Sequence, residues 1–100
     1  MRVYFAATVQ VLRQLQDGES VTLLGFEPAT EDELDEFAAL SEAADAGGVA
    51  IAADVDTPEQ AIALEHVASF HVDADGSGDL AWYATQELGQ VVTVLDSSTP

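Results

Sequence analysis

The chain has 100 residues, 48% of them hydrophobic, and sets 19 acidic side chains against two arginines and no lysine, for a formal net charge of -17. That length suits one domain burying roughly 60–65% of its unfolded surface, and the apolar share excludes wholesale disorder. The absence of cysteine excludes disulfides, thiolate nucleophiles and zinc-thiolate sites, while the negative field opposes direct binding to nucleic acid or to anionic membranes.

Residues 1–7 alternate as a strand, with Val3 and Phe5 on one side and Arg2 and Tyr4 on the other. They enter that pattern at once, in place of a leader, and no apolar run nears the roughly 20 residues of a membrane span. A cytoplasmic protein is expected. Thr8 is placed to cap a helix over residues 9–16, with Val11, Leu12 and Leu15 as its apolar stripe and Asp17-Gly18 as its stop. Thr8 also falls at the carboxyl end of a strand, where α/β sheets place ligand contacts, although capping alone accounts for it. Residues 21–27 make a weaker strand, interrupted by Gly25.

Thr30 and Glu33, three apart, predict a capping box that opens a helix running to about residue 45. Leu34, Phe37, Ala38, Ser41 and Ala44 share its expected core face. Glu31, Asp32, Glu33, Asp35 and Glu36 load the first turns with charge that suits the positive end of the helix dipole. With no basic residue on the helix to pair with them, they are either a solvated face or an electrostatic docking surface.

Gly47-Gly48 ends that helix, and the continuous apolar run at residues 49–53 reads as a central strand buried on both faces. Asp54 and Asp56 then stand at its carboxyl end, a weak signal because aspartates also turn chains. Thr57-Pro58 predicts a helix over residues 58–66. Residues 67–73 alternate as a strand with His71 on its more polar face, and Asp75-Gly76-Ser77-Gly78 is turn chemistry leading to a return strand at 80–84. Trp82 and Tyr83 should face opposite ways, one to the core and one to the surface. Beyond Thr85 the chain reads two ways: a helix capped by Thr85, or an extended segment favoured by Gly89 and the valines at 91, 92 and 94. Residues 96–100 should fray.

Asp73, Asp75, Ser77, Gly78 and Leu80 match early positions of an EF-hand loop. The bidentate glutamate that such a loop needs at its twelfth position is replaced by Ala84, and Glu87 comes three residues too late. A hairpin turn rich in carboxylates, Asp79 included, with weak cation binding is the better reading. His66 and His71 sit five apart across an expected helix-strand junction and need not share a face. No phosphate loop, nucleophile elbow or His-Glu metal motif is present in the sequence.

Several segments resemble a family of small uncharacterised actinobacterial proteins, a domain of unknown function. They are Met1-Arg2-Val3-Tyr4 with Ala7-Thr8, Ala39-Leu40-Ser41-Glu42-Ala43-Ala44, Ala52-Ala53-Asp54-Val55, Val67-Ala68 with His71-Val72-Asp73, and Leu80-Ala81-Trp82-Tyr83-Ala84-Thr85-Gln86-Glu87-Leu88. The last is the most specific. The chain departs from the family in being shorter around the middle helix and before the final strands, and in continuing past Leu88 with a valine-rich tail. The resemblance implies a bacterial, cytoplasmic setting and carries over no site residue.

The expected fold is therefore one α/β domain over residues 1–100, with a mostly parallel sheet of four or five strands, three helices and a C-terminal hairpin; an α+β arrangement is the alternative. The expected function is a non-enzymatic protein-binding or regulatory module that presents Glu31, Asp32, Glu33, Asp35 and Glu36 to a basic protein surface. The rival is a calcium or magnesium binder, or a small metal-dependent enzyme, using Asp73, Asp75, Ser77, Asp79 and Glu87. A third reading makes the charge a general adaptation to high salt, with no partner.

Overall fold

A computed structural model describes residues 1–72 and 80–97, with side chains through residue 95. Strand β1 (Arg2–Ala7) leads through Thr8 into helix α1 (Val9–Gln16). Thr8 caps that helix, its hydroxyl accepting from the Val11 amide at 3.4 Å, and Gly18 ends the turn at φ +84°. A two-residue strand β2 (Gly25–Phe26) follows, then α2 (Glu33–Gly47), β3 (Val49–Asp54), β4 (Val67–Val72), β5 (Ala81–Ala84) and α3 (Leu88–Ser97).

The five strands lie in the order β2-β1-β3-β4-β5, and every neighbouring pair is antiparallel. The expectation of a mostly parallel sheet is thus overturned. For β3 and β4 the reason is local: a parallel neighbour needs a long crossover, usually a helix, and the helix expected over residues 58–66 does not form. Pro58 starts only a turn, in which the Gln60 side-chain oxygen accepts from the Asp56 amide at 2.9 Å. Ile62 then exchanges two backbone hydrogen bonds with Val21, both 2.8 Å, and a single 3-10 turn at Leu64–His66 leads into β4. The strand expected over 21–27 shrinks to β2 and this Val21–Ile62 bridge.

Strand β3 is central, as its apolar run suggested, with its first five residues buried. Helices on both faces of an antiparallel sheet bury a middle strand as fully as a parallel fold does, so the run said nothing about strand direction. On one face α1 and α3 cover Val3, Phe5, Ile51, Phe70 and Val72, forming the main core with Leu12, Leu15 and Val91. A register shift between Ala52 and Ala53 turns Val67 to this same side. The other face is thinner. There α2 lays Ala39 and Ala43 on Tyr4, Ala50 and Ala52.

The strand pair expected at the C-terminal hairpin is present, β4 against β5, while the turn at 73–79 lies outside the described residues. Residues 88–97 are helical and not extended, and residues 98–100 of the tail expected to fray lie outside the described residues. Leu88, Val91, Val92 and Leu95 fall at i, i+3, i+4 and i+7 and pack on the main core, so burial overrides the strand preference of valine.

Candidate functional site

The first turns of α2 carry the acidic residues singled out in the sequence. The helix is capped by Asp32 and not by Thr30: the Asp32 carboxylate accepts from the Leu34 amide at 2.9 Å. Thr30 supports the cap from outside, accepting from the Asp32 amide at 3.1 Å and donating to the Asp35 carboxylate at 2.6 Å. Asp32 and Asp35 therefore work for the local fold as well as adding charge. Glu31, Asp32 and Glu33 are exposed, and Asp35 and Glu36 are half-buried.

The helix face is rotated from the expected one. Ala39 and Ala43 face the sheet, while Leu34 is 78% exposed and Phe37 is 59% exposed. They lie three apart, hence side by side on the outer surface, among the acids. A large aliphatic and an aromatic side chain held in water within a carboxylate-rich turn form an amphipathic patch.

Beside this turn lies a cleft of about 550 Å³, lined by Met1, Arg2, Glu27, Pro28, Ala29, Thr30, Glu31 and Glu36. Its arginine is committed: Arg2 Nε and a terminal guanidinium nitrogen reach the two Asp54 oxygens at 2.8 and 3.3 Å. The Arg2 hydrogen bond holds the Asp54 carboxyl below the usual range, and the Asp54 bond raises Arg2 in return. Burial, and next the negative charge of Glu36, push the Tyr4 phenol up. Arg2 also feels the charge of Glu36, and Arg13 belongs to α1, on the opposite face of the sheet.

No known protein family, curated protein or solved structure matches the chain.

Of the residues considered for a metal, Asp73, Asp75, Ser77 and Asp79 lie outside the described residues. Glu87 has a local task, its carboxylate accepting from the Ala84 amide at 2.9 Å to close the turn before α3. Among the described residues no group of three or more His, Cys, Asp or Glu is placed to hold a metal ion. Of the Asp54–Asp56 pair, Asp54 is taken by Arg2.

The two histidines occupy separate structural settings. His66 Nδ1 accepts from the Ala63 amide at 2.9 Å within its own turn. His71 lies in β4, with its Nε2 2.8 Å from the buried Ser69 hydroxyl. Burial, and next the charge of Arg2, lower its pKa. A serine hydroxyl against a neutral imidazole is half of a nucleophile–base arrangement, but among the described residues no hydrogen bond orients the ring from its other nitrogen. Trp82, the cross-strand partner of His71, is 61% exposed, and Tyr83 packs against the main core.

Sequence reasoning missed the outward position of Leu34 and Phe37. Apolar residues occur nearly all round α2, so periodicity alone leaves its face undetermined. The usable signal was size: Ala39 and Ala43, four apart, match Ala50 and Ala52, two apart on one face of β3.

Proposed function

We propose that this chain is a non-enzymatic binding or regulatory module, acting in the cytoplasm and belonging to the actinobacterial family it resembles. It captures a basic protein surface on the amino-terminal half of α2. The observation that carries the reading is the exposure of Leu34 and Phe37 among Glu31, Asp32 and Glu33. Apolar side chains at the centre of a contact supply binding energy, roughly 1.5–3 kcal/mol for each fully buried. Rim carboxylates steer a cationic partner and set its orientation. Among the described residues no helix is long and apolar enough to cross a membrane.

The test uses the immobilised protein and two charge-matched variants. Glu31→Lys with Glu33→Lys alters the docking turn; Glu19→Lys with Glu59→Lys makes the same charge change at exposed positions elsewhere. Phe37→Ser removes the apolar anchor. Capture of proteins from native lysate should fall with the first pair and with Phe37→Ser, and persist with the second pair. Equal loss in both charge pairs means general charge attraction and defeats the proposal. So does undiminished capture by all variants.

A further inference from the structure

We propose that the free edge of β5 accepts a sixth strand: an extended segment of a basic protein partner, in which small apolar residues alternate with lysine or arginine. The inference stands apart from the α2 reading, because it rests on a different element. Strand β5 ends the sheet, and among the described residues only β4 pairs with it. Its sequence, Ala81-Trp82-Tyr83-Ala84, carries no charge and no proline. Exposed edges are ordinarily blunted by charge, proline or shortness; β5 has only its four-residue length. Although the Ala84 amide is held by the Glu87 carboxylate, the edge up to Tyr83 leaves backbone groups for an incoming strand.

Each face beside that edge has a place for an incoming side chain. On the side of α1 and α3, Tyr83 with Gly89, Gln90, Thr93 and Val94 lines a shallow groove of about 350 Å³. The positions on α3 are i, i+1, i+4 and i+5, one helix face, so α3 flanks the edge where a further strand would lie. On the opposite side Trp82 is 61% exposed. Side chains of an added strand alternate between the two sides. Those beside Tyr83 enter the groove and must be small and apolar. Those beside Trp82 meet an indole face, which attracts ammonium and guanidinium groups.

Charge selects the occupant. With 19 acids against two arginines, the chain draws in a cationic segment and repels a second copy of itself.

The probe is a capped hexapeptide of alternating lysine and valine, titrated into the whole protein. Trp82 is the only tryptophan, so its emission reports on the edge directly, and amide NMR shifts locate the contact. A saturable blue shift is expected, with amide shifts at residues 81–84 and 89–94. A peptide of the same composition with three lysines followed by three valines should bind at least tenfold more weakly. Thr93→Arg, which fills the groove with a like charge, should weaken the alternating peptide by tenfold or more, and Trp82→Ser several-fold. Equal binding of the two peptides, absence of saturation, or shifts confined to α2 each overturn the proposal. Self-association of the free protein that Thr93→Arg abolishes makes a second copy the occupant and overturns it as well. Because α2 and β5 report through different amides, this proposal and the α2 proposal fail separately.

Discussion

Gly47, the last residue of α2, decides how closely that helix approaches the sheet. A methyl group on its Cα would stand 2.5 Å from the Ala7 nitrogen, 2.6 Å from the Ala7 oxygen and 3.0 Å from the Ala6 carbonyl carbon. Comfortable contact between such atoms lies near 3.5–4.0 Å, and β1 cannot retreat because Val3 and Phe5 are packed on its far side. Gly47→Ala must therefore lift α2 by about 1 Å, which forced packing of this kind prices at roughly 1–3 kcal/mol. Alanine returns less than about 1 kcal/mol in helix propensity, and less still at a terminal residue. The expected net loss is about 2 kcal/mol, a drop of about 8–16 °C in melting temperature for a domain of this size. Two other glycines serve as controls. Gly48, at φ +93° with open space around it, should lose only about 1 kcal/mol on mutation to alanine, for the left-handed backbone. Gly89, whose added methyl meets only the Gln16 amide nitrogen at 3.8 Å, should become slightly more stable as alanine. Thermal and urea unfolding followed by circular dichroism measure all three. Gly47→Ala as stable as the parent, or less harmful than Gly48→Ala, would falsify the seating of α2 on β1.

Two further outcomes follow from charge. His71 is held below its ordinary value of 6.5, first by burial and then by Arg2. Above that value both folded and unfolded chains are neutral at this group; as pH falls below it, the unfolded chain takes a proton the folded one resists, and stability declines until the lowered folded pKa is reached. The stability difference between the parent and His71→Gln should therefore shift against the parent as pH falls below 6.5, and a flat difference refutes the burial of the ring. Raising ionic strength from about 0.01 M to about 0.15 M shortens the screening length from about 30 Å to about 8 Å. With a net charge of -17 the melting temperature should climb over that range, and an unchanged value would show that the acids do not strain the fold.

Where one local interaction decides, the sequence was legible. Thr8 caps α1 as its position implied, Leu12 and Leu15 are buried, and Asp17-Gly18 stops the helix. The apolar run of β3 is the centre of the sheet. Where a tertiary choice decides, reading failed. The direction of β4 against β3 depended on whether residues 58–66 formed a crossover helix, and Thr57-Pro58 has the same local chemistry in a turn as at a helix start. For residues 88–97 the period of Leu88, Val91, Val92 and Leu95 competed with valine's strand preference, and only burial against α1 separates the two. The acids in the first turns of α2 were visible in the composition and the outward apolar pair was not, because which side of α2 is covered depends on the strands it meets.

That dependence also accounts for the patch itself. Facing Leu34 and Phe37 to the sheet would return roughly 1.5–3 kcal/mol for each buried side chain. Yet the surface beneath α2 is Tyr4 with Ala50 and Ala52, and the helix end already touches the Ala7 backbone through Gly47. Large side chains turned inward would hold the helix away from this surface and leave unfilled space along Ala39 and Ala43. Such a void loses dispersion contacts on both of its walls, and the loss grows with its volume, about 24 cal/mol per Å³ in measured cores. Small residues on both sides permit close approach, and the helix rolls to the face that fits. The bulky apolar residues are left on the outer surface beside Glu31 and Glu33. The same size match that fixes α2 on the sheet thus determines which side chains the proposed partner would meet, and a variant that enlarges Ala43 should disturb the proposed docking surface by rolling the helix that carries it.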